Sequence, residues 1–140
     1  MKKFGFDGVI FDLDGVITKT ASVHSKAWKK MFDEYLTERE NKYNESHKDF
    51  DHFKDYLPYV DGKPRYKGVE DFLLSRDIKI PFGDPSDNTS NETICGLGNR
   101  KNEAFNLVLN ESGVEVFGST VKLMKQLKEN GIGILINLIY

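Results

Sequence analysis

The stretch Phe11-Asp12-Leu13-Asp14-Gly15-Val16 constrains this chain more than any other. An apolar run, Val9 to Phe11, leads into two carboxylates two residues apart and then a glycine. In an extended strand alternate side chains share a face, so Asp12 and Asp14 are expected to point the same way. After Asp7 the run shows no polar alternation, the pattern of a strand buried on both faces of a parallel sheet. Two acids at the carboxyl end of such a strand suit a hard cation and an anionic substrate. A calcium loop is the competing reading and it fails. Such a loop needs glycine at its sixth position and glutamate at its twelfth, which from Asp12 are Ile17 and Val23.

The rest of the chain predicts a helical insert between two strands. Phe6–Phe11 reads as the first strand. A helix follows Ser22, with Val23, Ala27, Met31, Tyr35 and Leu36 near 3.6-residue spacing, and ends near Asn41. Tyr56–Gly68, with its prolines and glycines, reads as turn-rich, Val69–Arg76 as a short helix, and Asp77–Asn91 as a loop. Asn99–Ser112 is helical. Gly118 opens another helix, with Val121, Leu123, Met124 and Leu127 as its buried side and Gly131 as its stop. Ile132–Ile139 reads as a second buried strand. The segment from Ser22 to Leu109 is too long for a simple crossover. The expected division is therefore a partial α/β core at 1–21 and 110–140, with a helical cap at 22–109.

Composition narrows the function classes. Hydrophobic residues are 39% and charged residues 30%, ordinary for a globular chain, and ten Phe, six Tyr and one Trp supply a core. A formal charge of -2 argues against nucleic acid as the main partner. No run reaches the length of a membrane span. The single cysteine, Cys95, cannot form an internal disulfide, and a cytoplasmic location is expected.

Asp12, Asp14, Gly15 and Thr18 fit Asp-x-Asp-Gly-x-x-Thr, and on these residues the chain resembles the haloacid dehalogenase superfamily of phosphatases and phosphomutases. That resemblance implies a Rossmann-type parallel sheet with an inserted α-helical cap. It implies phosphoryl transfer through an aspartyl-phosphate on Asp12, with Asp14 as general acid and base. It also implies Mg2+, held by the Asp12 carboxylate and the Asp14 main-chain carbonyl. Thr20 and Val23-His24-Ser25-Lys26-Ala27-Trp28 are similar to the beta-phosphoglucomutase branch. So are Asp61-Gly62-Lys63-Pro64-Arg65 and Asn99-Arg100-Lys101-Asn102. The resemblance carries substrate contacts onto Gly15, Thr20, His24, Trp28, Gly62, Arg65, Lys101 and Asn102, with a sugar phosphate as the small-molecule substrate.

The superfamily pattern next calls for Ser or Thr at about Leu138, then a Lys and further acids. Leu138 has no side-chain donor, and the sequence ends at Tyr140. The expectation is a truncated or frameshifted product with little or no Mg2+-dependent phosphatase activity. The alternative is an inactive fragment or pseudoenzyme that binds a sugar phosphate or a partner. The apolar tail Leu135–Tyr140 predicts an exposed sheet edge open to association with another chain.

Overall fold

The computed structural model describes residues 4–138. The chain divides into two compact units, Met1–Ser22 with Gly113–Tyr140, and Val23–Ser112.

The first unit is built on two parallel strands, β1 (Gly8–Asp12) and β2 (Gly133–Asn137). Gly8 faces Gly133 and Asp12 faces Asn137 in their register. Helix α4 (Gly118–Glu129) precedes β2. Its end explains the tight approach to the strand. Gly131 adopts φ +75°, its N–H donates to the Lys128 carbonyl at 3.0 Å, and Ile132 N–H donates to the Leu127 carbonyl at 3.0 Å. This is a Schellman motif, and its apolar pair Leu127 and Ile132 joins Phe11 and Ile17 in a small core.

Three expectations change here. The strands are not buried on both faces. Val9, Phe11 and Ile134 pack inward, while Ile10 and Leu135, paired across the sheet, are 69% and 68% exposed. Alternation governs a sheet covered on one face, and an apolar run alone does not reveal which face is covered. Along α4 only Leu127 is buried; Met124 is partly covered and Leu123 is exposed. The second strand ends at Asn137, and Ile139 lies outside the described residues.

The second unit holds α1 (Ala21–Tyr43), a π-helix (His52–Val60), α2 (Arg65–Ser75) and α3 (Ile94–Ser112). An aromatic cluster forms its core. The Phe32 and Phe72 rings lie 4.1 Å apart, and Phe50 lies 5.1 and 5.0 Å from them. Each such buried ring contributes about 2–3 kcal/mol of apolar burial. The helices begin earlier than the sequence pattern implies. Tyr56–Val60 is not a turn but the end of the π-helix, where Tyr56 N–H reaches the Asp51 carbonyl and Asp61 N–H reaches that of Tyr56. Asp51 caps it by accepting from Phe53 and Lys54 N–H. Helix α2 starts at Arg65 directly after Pro64, and α3 starts at Ile94, five residues ahead of Asn99.

Candidate active site

The strand β1 delivers Asp12 to the carboxyl end of the parallel pair, and its side chain is exposed. Asn137 stands opposite, and its amide donates to Asp12 Oδ1 at 3.1 Å. The strand stops at Asp12, so Asp14 belongs to the turn that follows. Gly15, at φ +76°, lets the chain reverse, and its N–H donates to the Thr18 carbonyl at 2.8 Å. The Leu13 carbonyl accepts from Ile17 and Thr18 N–H and from Thr18 Oγ1. Thr20 is buried, and its hydroxyl donates to Asp14 Oδ1 at 2.5 Å. The orientation of Asp14 is thus fixed by Thr20 rather than by strand alternation. Asp12, Asp14, Gly15 and Thr20 form one assembly within the first unit.

The second unit brings His24, Trp28 and Lys101 together. Lys101 is 6% exposed, and its ammonium lies 5.1 Å from the ring centroids of both Trp28 and Phe105. Its Nζ is 3.1 Å from His24 Nδ1. An ammonium carries donors only, so Nδ1 is the acceptor in this contact. His24 also stacks on Phe105 at 4.5 Å. A Cβ at Gly68 would press on Val60 Cγ1 at 3.3 Å and only touch the Trp28 ring, at 3.6 Å. Arg65 lies over the Tyr66 ring at 4.8 Å, with Nη2 donating to the Tyr66 hydroxyl at 3.0 Å. Gly62 turns the chain at φ +72°, and both it and Asn102 are exposed.

Neighbouring acids and cations show clear perturbations. Ion pairing with Lys63, then Lys67, holds Asp71 below the usual carboxylate range. Burial pushes the Cys95 thiol up.

Among the described residues no three His, Cys, Asp or Glu side chains group to hold a metal. The donors at the strand end are nonetheless all hard oxygens on an exposed rim. Mg2+ takes few protein ligands and keeps several waters, so Asp12 with the Asp14 carbonyl fits it chemically.

Asn137, Tyr66 and Asn99 bond to or alongside the candidate residues, contacts that the motif pattern alone does not reveal. Asn137 has a readable signal. It interrupts an apolar strand four residues after Gly133, as Asp12 stands four after Gly8, and parallel pairing aligns the two. Leu138, where the superfamily pattern expects a hydroxyl, is 52% exposed.

A family model described as haloacid dehalogenase-like hydrolase matches residues 6–137. The chain belongs to that family. It is 47% identical over 127 residues to a beta-phosphoglucomutase of Mycobacterium bovis, covering 91% of this chain and 48% of that protein. It is 39% identical over 126 residues to an uncharacterized glycosyl hydrolase of Mycobacterium tuberculosis, covering 90% of this chain and 9% of that one. The chain therefore spans about half the length of the first relative and a small part of the second. In structure it is similar to CbbY from Rhodobacter sphaeroides in complex with phosphate, with TM-score 0.62 and 18% identity over 93% of this chain and 49% of that one. That likeness confirms the Rossmann-like fold of the family.

Proposed function

We propose that this chain carries the nucleophile end of a site for phosphoryl transfer on a sugar phosphate, as phosphatase or beta-phosphoglucomutase-like phosphomutase. The observation that carries the reading is Asp12, exposed at the carboxyl end of β1, two residues before an Asp14 oriented by Thr20. Membership of the hydrolase family and 47% identity to a phosphoglucomutase support it.

In this reading an Asp12 carboxylate oxygen attacks phosphorus and the ester oxygen leaves, taking a proton from Asp14. The acceptor, water or a sugar hydroxyl, then attacks the aspartyl-phosphate. Its proton passes to Asp14, and the carboxylate of Asp12 is restored. Gly15 lets the backbone come close to the phosphate, and Thr20 keeps Asp14 in one orientation. The Asp12 carboxylate and the Asp14 carbonyl would hold Mg2+, which when bound offsets repulsion between an anionic nucleophile and an anionic substrate. His24, Trp28, Gly62, Arg65, Lys101 and Asn102 are the proposed substrate contacts. Association with another chain would run through the open edge of the two-stranded sheet, beside the uncovered Ile10 and Leu135. A cytoplasmic setting suits the single buried thiol of Cys95.

Trifluoroberyllate, a mimic of an acyl-bound phosphoryl group, tests the nucleophile directly. Fluorine NMR of the 140-residue chain with Mg2+ is expected to show protein-bound resonances that vanish in Asp12→Asn. No bound signal in the wild type, or one that survives the substitution, sinks the reading.

A further inference from the structure

Three of the four arginines are neutralised by carboxylates. Arg39 pairs with Glu45 and Glu92, Arg76 with Asp55, and Arg100 with Glu34 and Glu38. Arg65 is the exception: among the described residues no carboxylate lies within ion-pair distance of it. Neutral groups hold its guanidinium instead. The plane lies over the Tyr66 ring, Nη2 donates to the Tyr66 hydroxyl, and Nε is sealed from water without a hydrogen-bond partner.

The polarity of this arrangement is fixed from its far end. Asn99 Nδ2 donates to the carbonyls of Pro85 and Asp87, each at 3.0 Å. Its Oδ1 must therefore face Tyr66, because a flipped amide would turn its oxygen toward two carbonyl oxygens. The Tyr66 hydroxyl donates its only proton to Asn99 Oδ1 at 3.0 Å. That leaves a lone pair as the only group it can offer Arg65. A neutral chain thus runs from the Pro85–Asp87 backbone through Asn99 and Tyr66 to the guanidinium. Gly98 makes room for it. A Cβ there would lie 2.6 Å from the Tyr66 ring and 3.3 Å from Arg65 Cγ.

We infer that Tyr66 and Asn99 are positioning residues that hold the uncompensated Arg65 guanidinium ready for the phosphate group of a sugar phosphate. The inference rests on the proposed sugar-phosphate reading and names the part of that site which selects the anion. A guanidinium already held in place loses little freedom when a phosphate binds it, so the relay raises affinity by preorganisation. Neutral holders also leave the positive charge undiminished, as a carboxylate partner would not.

Two measurements on the full chain test it. Arginine side-chain NMR reads rotation of the Arg65 guanidinium: slow in the wild type, released in Tyr66→Phe and Asn99→Ala. Titration with glucose 6-phosphate reads the consequence. Losing one hydrogen bond in the relay is expected to weaken binding about fivefold, with unphosphorylated glucose insensitive to either substitution. Lys30→Ala, at an exposed helix pair, is the unchanged control. Unaltered rotation and affinity in Tyr66→Phe overturn the relay. Released rotation in Tyr66→Phe and Asn99→Ala, together with wild-type glucose 6-phosphate affinity in Arg65→Ala, leaves the relay standing and overturns the sugar-phosphate reading of Arg65.

Discussion

Glu45 shows how one side chain ties the Val23–Ser112 unit together. Arg39 donates to both of its oxygens, at 2.8 and 2.9 Å, and His47 Nε2 lies 2.7 Å from one of them. The Arg39 guanidinium first, and His47 second, depress the Glu45 carboxyl from 4.5 to about 2. The unfolded chain therefore binds more protons in that interval, so stability is present above it and is lost as pH falls through it. Thermal unfolding followed by circular dichroism should show Tm falling across this window, and Glu45→Gln should flatten the fall. Parallel curves for the two proteins would remove Glu45 from the account. At the same scale, Asp12, Asp14 and Gly15 are legible in the sequence because motif chemistry dictates them. Tyr66 and Asn99 are not, because an aromatic and an amide gain their roles only when α2 and α3 bring positions 33 apart into contact.

Among the elements, α3 and β2 teach different lessons. Gly96 and Gly98 disfavour helix by intrinsic propensity, so the pattern places the start of α3 after them. Packing overrides propensity: a Cβ at Gly96 would sit 2.3 Å from the Asn91 carbonyl oxygen, and one at Gly98 would strike Tyr66. The glycines are there because neighbours come close, and the helix runs through them. The π-helix is hidden for a similar reason, since Pro58 reads as a breaker until the wider turn accommodates it. In β2 the parallel pairing is readable from apolar content, but the uncovered face is not. Leu135 and Ile10 stand side by side on that face. Where sedimentation velocity detects association, Leu135→Lys is expected to reduce it, since a charge on this face opposes apolar contact. Equal sedimentation of wild type and variant would remove this face from any account of association.

At the level of the whole molecule, the two units differ in what secures them. Val23–Ser112 buries a cluster in which Phe32, Phe72, Val69, Leu73 and Met31 are all fully enclosed. The sheet unit rests on Phe11, Ile17, Leu127 and Ile132. Local opening follows buried apolar contact, so amide hydrogen exchange should be slow through Val69–Leu73 and faster by orders of magnitude through β1 and β2. Uniform protection across both units would contradict that ranking. The α/β class and the inserted helices are legible from periodicity and motif order, whereas this imbalance depends on which surfaces are covered.

The register of the sheet has a consequence for synthesis. Asp12 meets a partner 125 residues downstream, in a strand made only after the intervening helices. On the ribosome β1 emerges before β2 and must wait without its neighbour, its apolar side chains open to chaperones, while the helices of Val23–Ser112 close on contacts already at hand. The strand that carries Asp12 is thus translated ahead of its partner and among the last of these elements to find its place.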